Sequence, residues 1–187
     1  MTRIFTPLAL LTGLALLAAY IVGTISKLRG SLANPLDATY VYHFGLGLGS
    51  AVLALLVHCL VFTYLLGTGR WVKEVTIAYQ LPDEPWHKET RELKRRTYPV
   101  ALIAMLVPIA AGAAGLGNQL LRWPWWIHFT IATITLLVNL WAFRIEYRNI
   151  ALNSRVLDEV MVEVDRICAE RGLPTNAERL KEQEAAN

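Results

Sequence analysis

The sequence predicts an all-α integral membrane protein: a four-transmembrane-helix bundle with a long cytoplasmic C-terminal helix. Two observations predict this fold class. The chain has 187 residues, of which 55% are hydrophobic and 18% charged, which is too apolar a composition for an ordinary soluble domain. The apolar residues also gather in four runs, at about 4–26, 40–67, 99–121 and 124–145. Each run reaches the roughly 20 residues that cross about 30 Å of hydrocarbon.

The runs divide the chain into a four-span membrane domain at 1–148 and a cytoplasmic C-terminal helix and tail at 149–187. The first run, which follows a basic Met1-Thr2-Arg3 start, has the position of a signal peptide. It is longer than the apolar region of such a peptide, and no small-x-small cleavage site closes it before Lys27. We therefore expect a retained span.

The charges beside the runs predict the orientation. Basic residues concentrate between the second and third spans, at Arg70, Lys73, Lys88, Arg91, Lys94, Arg95 and Arg96, and after the fourth, at Arg144 and Arg148. The positive-inside rule then predicts an N-in, C-in protein of a bacterial-type cytoplasmic (inner) membrane. The same charges flank spans as topology signals do, so we expect the lipid bilayer as a partner and no nucleic acid.

The cytoplasmic loop at 68–98 contains a possible helix start at Asp83-Glu84-Pro85, because an acidic cap before an early proline suits a first helical turn. The stretch 86–96 is then predicted to be a short basic amphipathic helix on the membrane surface. It serves either as a topology anchor, through attraction to anionic lipid, or as a docking surface for a partner.

After Arg144 the fourth span is predicted to continue as a long C-terminal helix, because an apolar stripe with three- and four-residue spacing follows it. Its members are Ile150, Leu157, Val160, Met161, Val164, Ile167 and Cys168. Gly172 and Pro174 follow where a C-cap and a stop are expected. Such a stripe must be buried, so 150–170 is predicted to pack on the protein's own loop, to self-associate, or to bind another membrane or cytoplasmic subunit.

The interior of the bundle is predicted from residues that share a helix face at about 100° per residue. Small residues let membrane helices approach, and polar residues need partners inside the bundle. The predicted inward faces are His43, Gly47, Ser50, Ala54, Val61 and Thr68 on the second span, Ala101, Met105, Pro108, Gly112, Gly115 and Gln119 on the third, and His128, Ala132, Thr135, Asn139, Ala142 and Glu146 on the fourth.

Two inward histidines, His43 and His128, lie at the same depth, about 5 Å below the outer boundary by helix rise. Imidazole is the usual axial ligand of haem iron, and ligands from facing helices are common in bundle cores. The sequence therefore predicts His43 and His128 as metal ligands of haem b. Gly47 would admit the ring edge, and Arg122 would neutralise a propionate. The alternative is that both histidines make hydrogen bonds across the bundle and the small residues serve packing alone.

A third histidine, His58, lies about 22 Å below His43 by helix rise. It is a candidate second haem ligand, opposite Met105, with a polar core contact or a quinone-site residue as the alternatives. Glu146 and Arg148 are expected to be interfacial charges, with a proton path near the inner surface as the alternative for both.

The overall plan resembles membrane cytochrome b and the haem-carrying anchor subunits of quinone-linked dehydrogenases, through the paired histidines His43 and His128 on two spans. The resemblance implies haem b, quinone as a second redox molecule, and electron transfer between quinone and a partner. An electron-transfer or accessory subunit is thus expected rather than a stand-alone enzyme. The alternative function is that of a cofactor-free scaffold subunit of a larger membrane complex.

Overall fold

The structure is a computed structural model that describes residues 1–34, 36–82 and 85–176, together with 178, 181, 184 and 185. Within these residues the fold is all-helical, as the sequence predicts. The long helices are α1 (Thr2–Arg29), α2 (Thr39–Ala78), α3 (Trp86–Leu120) and α4 (Trp125–Glu170), and a single 3-10 turn, Ser31–Ala33, follows α1. Each of the four helices is long and apolar enough to cross a membrane.

The four helices form a closed ring in chain order. Helix α1 packs against α2, α2 against α3 and α3 against α4, while α4 returns to α1. Short connections of this kind make neighbours antiparallel. The core where all four helices meet is apolar and consists of Phe5, Val57, Val61, Leu65, Phe143 and Ile150. Large aliphatic side chains such as Leu14 and Leu137 are exposed on the outer face, as suits helices surrounded by lipid.

All four helices are longer than the apolar runs that predict them. Residues 68–78 continue α2, and 86–98 are the beginning of α3. The separate short helix predicted at 86–96 is therefore wrong: this basic stretch continues through Pro99 into the third span. The helix start predicted at Asp83-Glu84 lies outside the described residues.

Residues 149–170 are the second half of α4, which continues from the fourth span without a break. Their apolar stripe is covered by the protein itself, since Val160, Val164 and Cys168 form a cluster with Val72 of α2. Trp86 at the start of α3 packs against the same cluster. Of the burial modes that the sequence leaves open, the structure shows packing on the protein's own α2–α3 segment.

The charged end of the bundle is held by ion pairs between neighbouring turns. Arg95 and Arg96 both donate to the Glu92 carboxylate, at 2.9 and 2.7 Å, and these hydrogen bonds hold the pKa of Glu92 below its ordinary value. Helix α1 ends at the opposite end of the bundle, at Gly30, whose φ of +64° is the left-handed conformation that glycine adopts at low cost.

Candidate functional site

His43 on α2 and His128 on α4 meet across the diagonal of the bundle. Their ring centroids are 5.9 Å apart and the ring planes are inclined at 70°. Both side chains are half-buried. The structure thus brings together the two imidazoles that the sequence places at one depth.

Each ring is fixed by a hydrogen bond to the backbone of the preceding helix. Nδ1 of His43 donates to the carbonyl of Ala19 on α1 (3.0 Å), and Nδ1 of His128 donates to the carbonyl of Ala111 on α3 (2.9 Å). A carbonyl only accepts, so in the neutral ring the proton resides on Nδ1 and Nε2 keeps its lone pair. No described residue makes a hydrogen bond to either Nε2, which leaves both nitrogens able to bind a metal.

Each ring also lies over a glycine. This glycine is one helical turn after the residue whose carbonyl accepts the hydrogen bond from the ring. A Cβ on Gly23 would lie 2.5 Å from Cε1 of His43, and a Cβ on Gly115 would lie 3.2 Å from Cε1 of His128. At Gly23 only a residue without a side chain allows so close an approach, and at Gly115 an added Cβ would make a tight contact with the ring. The spacing Ala-x3-Gly therefore occurs twice as a platform for histidine, at Ala19 to Gly23 and at Ala111 to Gly115.

The pair has the spacing of two axial ligands. Metal–imidazole bonds of about 2.0 Å place the centres of two opposed rings about 6 Å apart, and the observed separation is 5.9 Å. Metal-bound histidines usually donate their other N–H to a carbonyl or carboxylate, as both rings do here. Among the described residues no group of three or more His, Cys, Asp or Glu side chains could hold a metal.

The face of α2 beside the pair carries a glycine with open space above it. Gly47 lies one turn from His43 on the half-buried face of α2, and a Cβ added there would meet no described atom within 4 Å.

Arg122 lies in the turn between α3 and α4, exposed and with φ of +56°. It lies at the same end of the bundle as His128. It makes no hydrogen bond or ion pair with a described residue. Lys27 is a second cation near this end, with its ammonium group 5.5 Å from the ring centre of Trp125.

His58 is fully buried and both of its ring nitrogens have protein partners. Nδ1 lies 2.7 Å from Oε1 of Glu146 and Nε2 lies 3.0 Å from Oδ1 of Asn139, while the ring stacks on Phe143 at 5.1 Å. The sulfur of Met105, the ligand considered opposite His58, instead lies 3.7 Å from Sγ of Cys59. Of the three roles considered for His58, this geometry corresponds to the polar core contact.

The expected interfacial position of Glu146 is wrong. Its side chain is 0% exposed and is paired with His58, because α4 does not end at the membrane boundary and the bundle interior continues past this position. Within the described structure, Oε2 of Glu146 is the buried side-chain oxygen that has no hydrogen-bond partner.

Glu146 belongs to a row of buried polar residues on α4, which we term the polar stripe: Thr135, Asn139, Glu146, Asn149 and Asn153. Thr135 donates to the carbonyl of Val107, and Asn139 donates to the carbonyl of Ala104 (3.3 Å). Asn149 donates to Thr97 (2.7 Å) and Asn153 to Thr68 (3.0 Å). Each member thus has a partner on α2 or α3, and the stripe extends from mid-span into the second half of α4.

Comparison with known proteins finds no match: no protein-family model, no curated protein and no solved structure is similar to this chain.

Proposed function

We propose that the protein is a b-type haem membrane protein, or the membrane subunit of a redox complex, that passes electrons between quinone and a partner. The observation that carries the proposal is the geometry of His43 and His128. Their ring centroids lie 5.9 Å apart, and each Nδ1 donates a hydrogen bond to a backbone carbonyl. No described residue makes a hydrogen bond to either Nε2. These are the properties required of two axial ligands.

In this proposal each residue of the site has a definite task. His43 and His128 bind the iron through Nε2, and the carbonyls of Ala19 and Ala111 hold the two rings in orientation and tautomer. Gly47 leaves room for the edge of the macrocycle, and Arg122 neutralises a propionate at the solvent end. Haem b, when bound, supplies one-electron chemistry.

We place the protein in a bacterial-type inner membrane with both termini, the end of α2 and the second half of α4 in the cytoplasm. The support is the concentration of basic residues at the end of the bundle where α2 gives way to α3. Trp123, Trp125 and Trp126 are exposed at the opposite end, as in an aromatic belt. Other membrane or cytoplasmic subunits, or a second copy of the chain, are the proposed partners.

Absorption spectroscopy tests the haem site. Protein purified from cells supplied with haem is expected to show a Soret band and, on reduction, the sharp visible bands of six-coordinate haem. His43→Ala and His128→Ala should each abolish the reduced-state bands. His87→Ala, which changes a histidine outside the pair, is the matched control and should retain them.

The opposite result favours the alternative function. A folded, colourless protein that takes up no added haem would mean that the two rings only pack the bundle. The chain would then be a cofactor-free accessory subunit that scaffolds a larger membrane complex.

A further inference from the structure

The positions of the hydrogens around His58 follow from Asn139. The amide nitrogen of Asn139 donates to two backbone carbonyls, those of Ala104 (3.3 Å) and Thr135 (2.9 Å). Its Oδ1 therefore faces Nε2 of His58 and must accept. Nε2 of His58 consequently carries a hydrogen whatever the state of the rest of the cluster.

One further proton lies between Nδ1 of His58 and Oε1 of Glu146, which are 2.7 Å apart. It resides either on His58, as an ion pair, or on Glu146, as a carboxylic acid beside a neutral ring. The ion pair would leave a charged oxygen, Oε2, without a partner in a fully buried site. The neutral pair leaves only a carbonyl oxygen unpaired, which costs less in an apolar environment.

We propose that Glu146 is a proton-exchange site buried within the bundle, and that the polar stripe connects it to water at the charged end where α2 ends and α3 begins. The ligand of this site is a proton. A proton that arrives along the stripe replaces the one on Glu146, which leaves by the same route, so the charge of the cluster is unchanged. The inference goes beyond electron transfer and requires no bound cofactor.

The route consists of layers of paired polar side chains. Two pairs follow Glu146 along α4, Asn149 with Thr97 and then Asn153 with Thr68, at intervals of about 4.5 and 6 Å by helix rise. The hydroxyl oxygen of Tyr64 lies 3.3 Å from that of Ser154, the next residue of α4. Amides and hydroxyls both donate and accept, and a bridging water spans gaps of this size between polar groups. The route reaches the charged end of the bundle at Gly69, where the Lys94 side chain lies.

Among the described residues around the cluster, Glu146 is the carboxyl group that can exchange a proton. Helix α1 contributes Phe5 and the chain start at Met1 to the surrounding core. The titratable side chains that face the cluster or its route are Tyr64 on α2 and Tyr98 and Lys94 on α3, and Tyr98 donates to the carbonyl of Phe62 (3.4 Å). On α4, Arg144 and Arg148 are exposed and face away.

Infrared spectroscopy of the full chain in phosphatidylcholine vesicles tests the site. The wild-type protein at neutral pH is expected to show the carbonyl stretch of a protonated carboxyl group, which shifts to lower frequency when the vesicles are transferred to D2O. Glu146→Gln should remove this band. Glu163→Gln, which changes a half-buried carboxyl paired with Arg166 on the same helix, is the matched control and should leave the band in place.

The route is tested by the rate of the D2O shift. Asn149→Leu and Asn153→Leu should each slow it roughly tenfold, because loss of one relay hydrogen bond raises the barrier by about 1.4 kcal/mol. Asn118→Leu, at the opposite end of the bundle, should leave the rate unchanged.

Three results would overturn the proposal. Absence of a carboxyl band in the folded wild type at neutral pH would show that Glu146 is ionised in a permanent ion pair. An exchange rate equal in wild type and both stripe variants would show that the stripe is not the route. Nitrogen-15 NMR of wild-type His58 provides a measurement that needs no variant: an unprotonated Nδ1 supports the proposal and a protonated Nδ1 refutes it.

Discussion

The imidazole of His43 stands edge-on to that of His128, and each ring rests on a glycine of the helix that precedes its own. The geometry of the pair is therefore set as much by the backbones of α1 and α3 as by the two histidines. Changes at the glycines should alter the pair while both imidazoles remain present.

The first prediction concerns Gly23→Ala. The added methyl carbon would lie 2.5 Å from Cε1 of His43, so the ring must move and its hydrogen bond to Ala19 should weaken. We expect the free energy of unfolding to fall by about 1–3 kcal/mol. Gly115→Ala, with a 3.2 Å approach to His128, should have a smaller effect of the same kind. Denaturation in detergent micelles monitored by circular dichroism measures both.

Gly45 supplies the control, since a Cβ there meets no described atom within 4 Å. Gly45→Ala should be neutral or stabilising by about 0.5–1 kcal/mol, as expected for alanine in place of a helical glycine. Equal stability of the Gly23 and Gly45 variants would contradict the close contact with His43.

The second prediction separates the two forms of the buried pair. His58→Leu removes the partner of Glu146 and should lower the free energy of unfolding by about 1–3 kcal/mol if the pair is neutral. A loss of about 3–5 kcal/mol would indicate a stranded charge instead. The double variant His58→Leu/Glu146→Leu should be less destabilised than the sum of its single variants. Titration of mixed micelles with sodium dodecyl sulfate provides these values.

The third prediction concerns the second half of α4. Val160 is fully buried in its cluster, whereas Val162 is 70% exposed on the opposite face. Val160→Ala should cost about 1–3 kcal/mol through lost contacts and a residual cavity, and it should raise amide hydrogen exchange in 150–170. Val162→Ala is the control and should leave both unchanged. Equal exchange in the two variants would mean that this helix is not held by α2 and α3.

The fourth prediction concerns orientation. In a chain with Cys59→Ser and Cys168→Ser, single cysteines at Leu36, which is 93% exposed between α1 and α2, and at Val162 report the two ends of the bundle. A membrane-impermeant maleimide should label the position-36 cysteine in intact spheroplasts and the position-162 cysteine only after lysis. The reverse pattern would place the termini outside.

The sequence predicts the number and approximate position of the spans because hydropathy and length suffice for that. It places the end of α2 and the start of α3 poorly, since hydropathy reports where lipid contact stops and not where helical hydrogen bonding stops. Residues 70–78 and 149–170 contain neither glycine nor proline, so nothing in them ends a helix. The third apolar run begins at about 99, whereas α3 begins at Trp86 and passes through Pro99 without a break.

The candidate site is predicted in part. Helical periodicity places His43 and His128 on inward faces at one depth, and the structure brings them together. The acceptors on Ala19 and Ala111 depend on how closely two helices approach, which residue spacing alone does not determine. Glu146 shares its predicted sector with His128 and Asn139, and that periodicity was a better guide to its burial than its position beside the arginines.

Pro108 is buried in α3, and its consequence reaches a different helix. The imino acid has no N–H to offer the Ala104 carbonyl one turn earlier, and the side chain of Asn139 donates to that carbonyl instead. This contact helps to prevent the Asn139 amide from flipping, so the amide always turns its oxygen to the ring on α2. The absence of a backbone hydrogen at Pro108 thereby helps to determine that Nε2 of His58 carries a hydrogen.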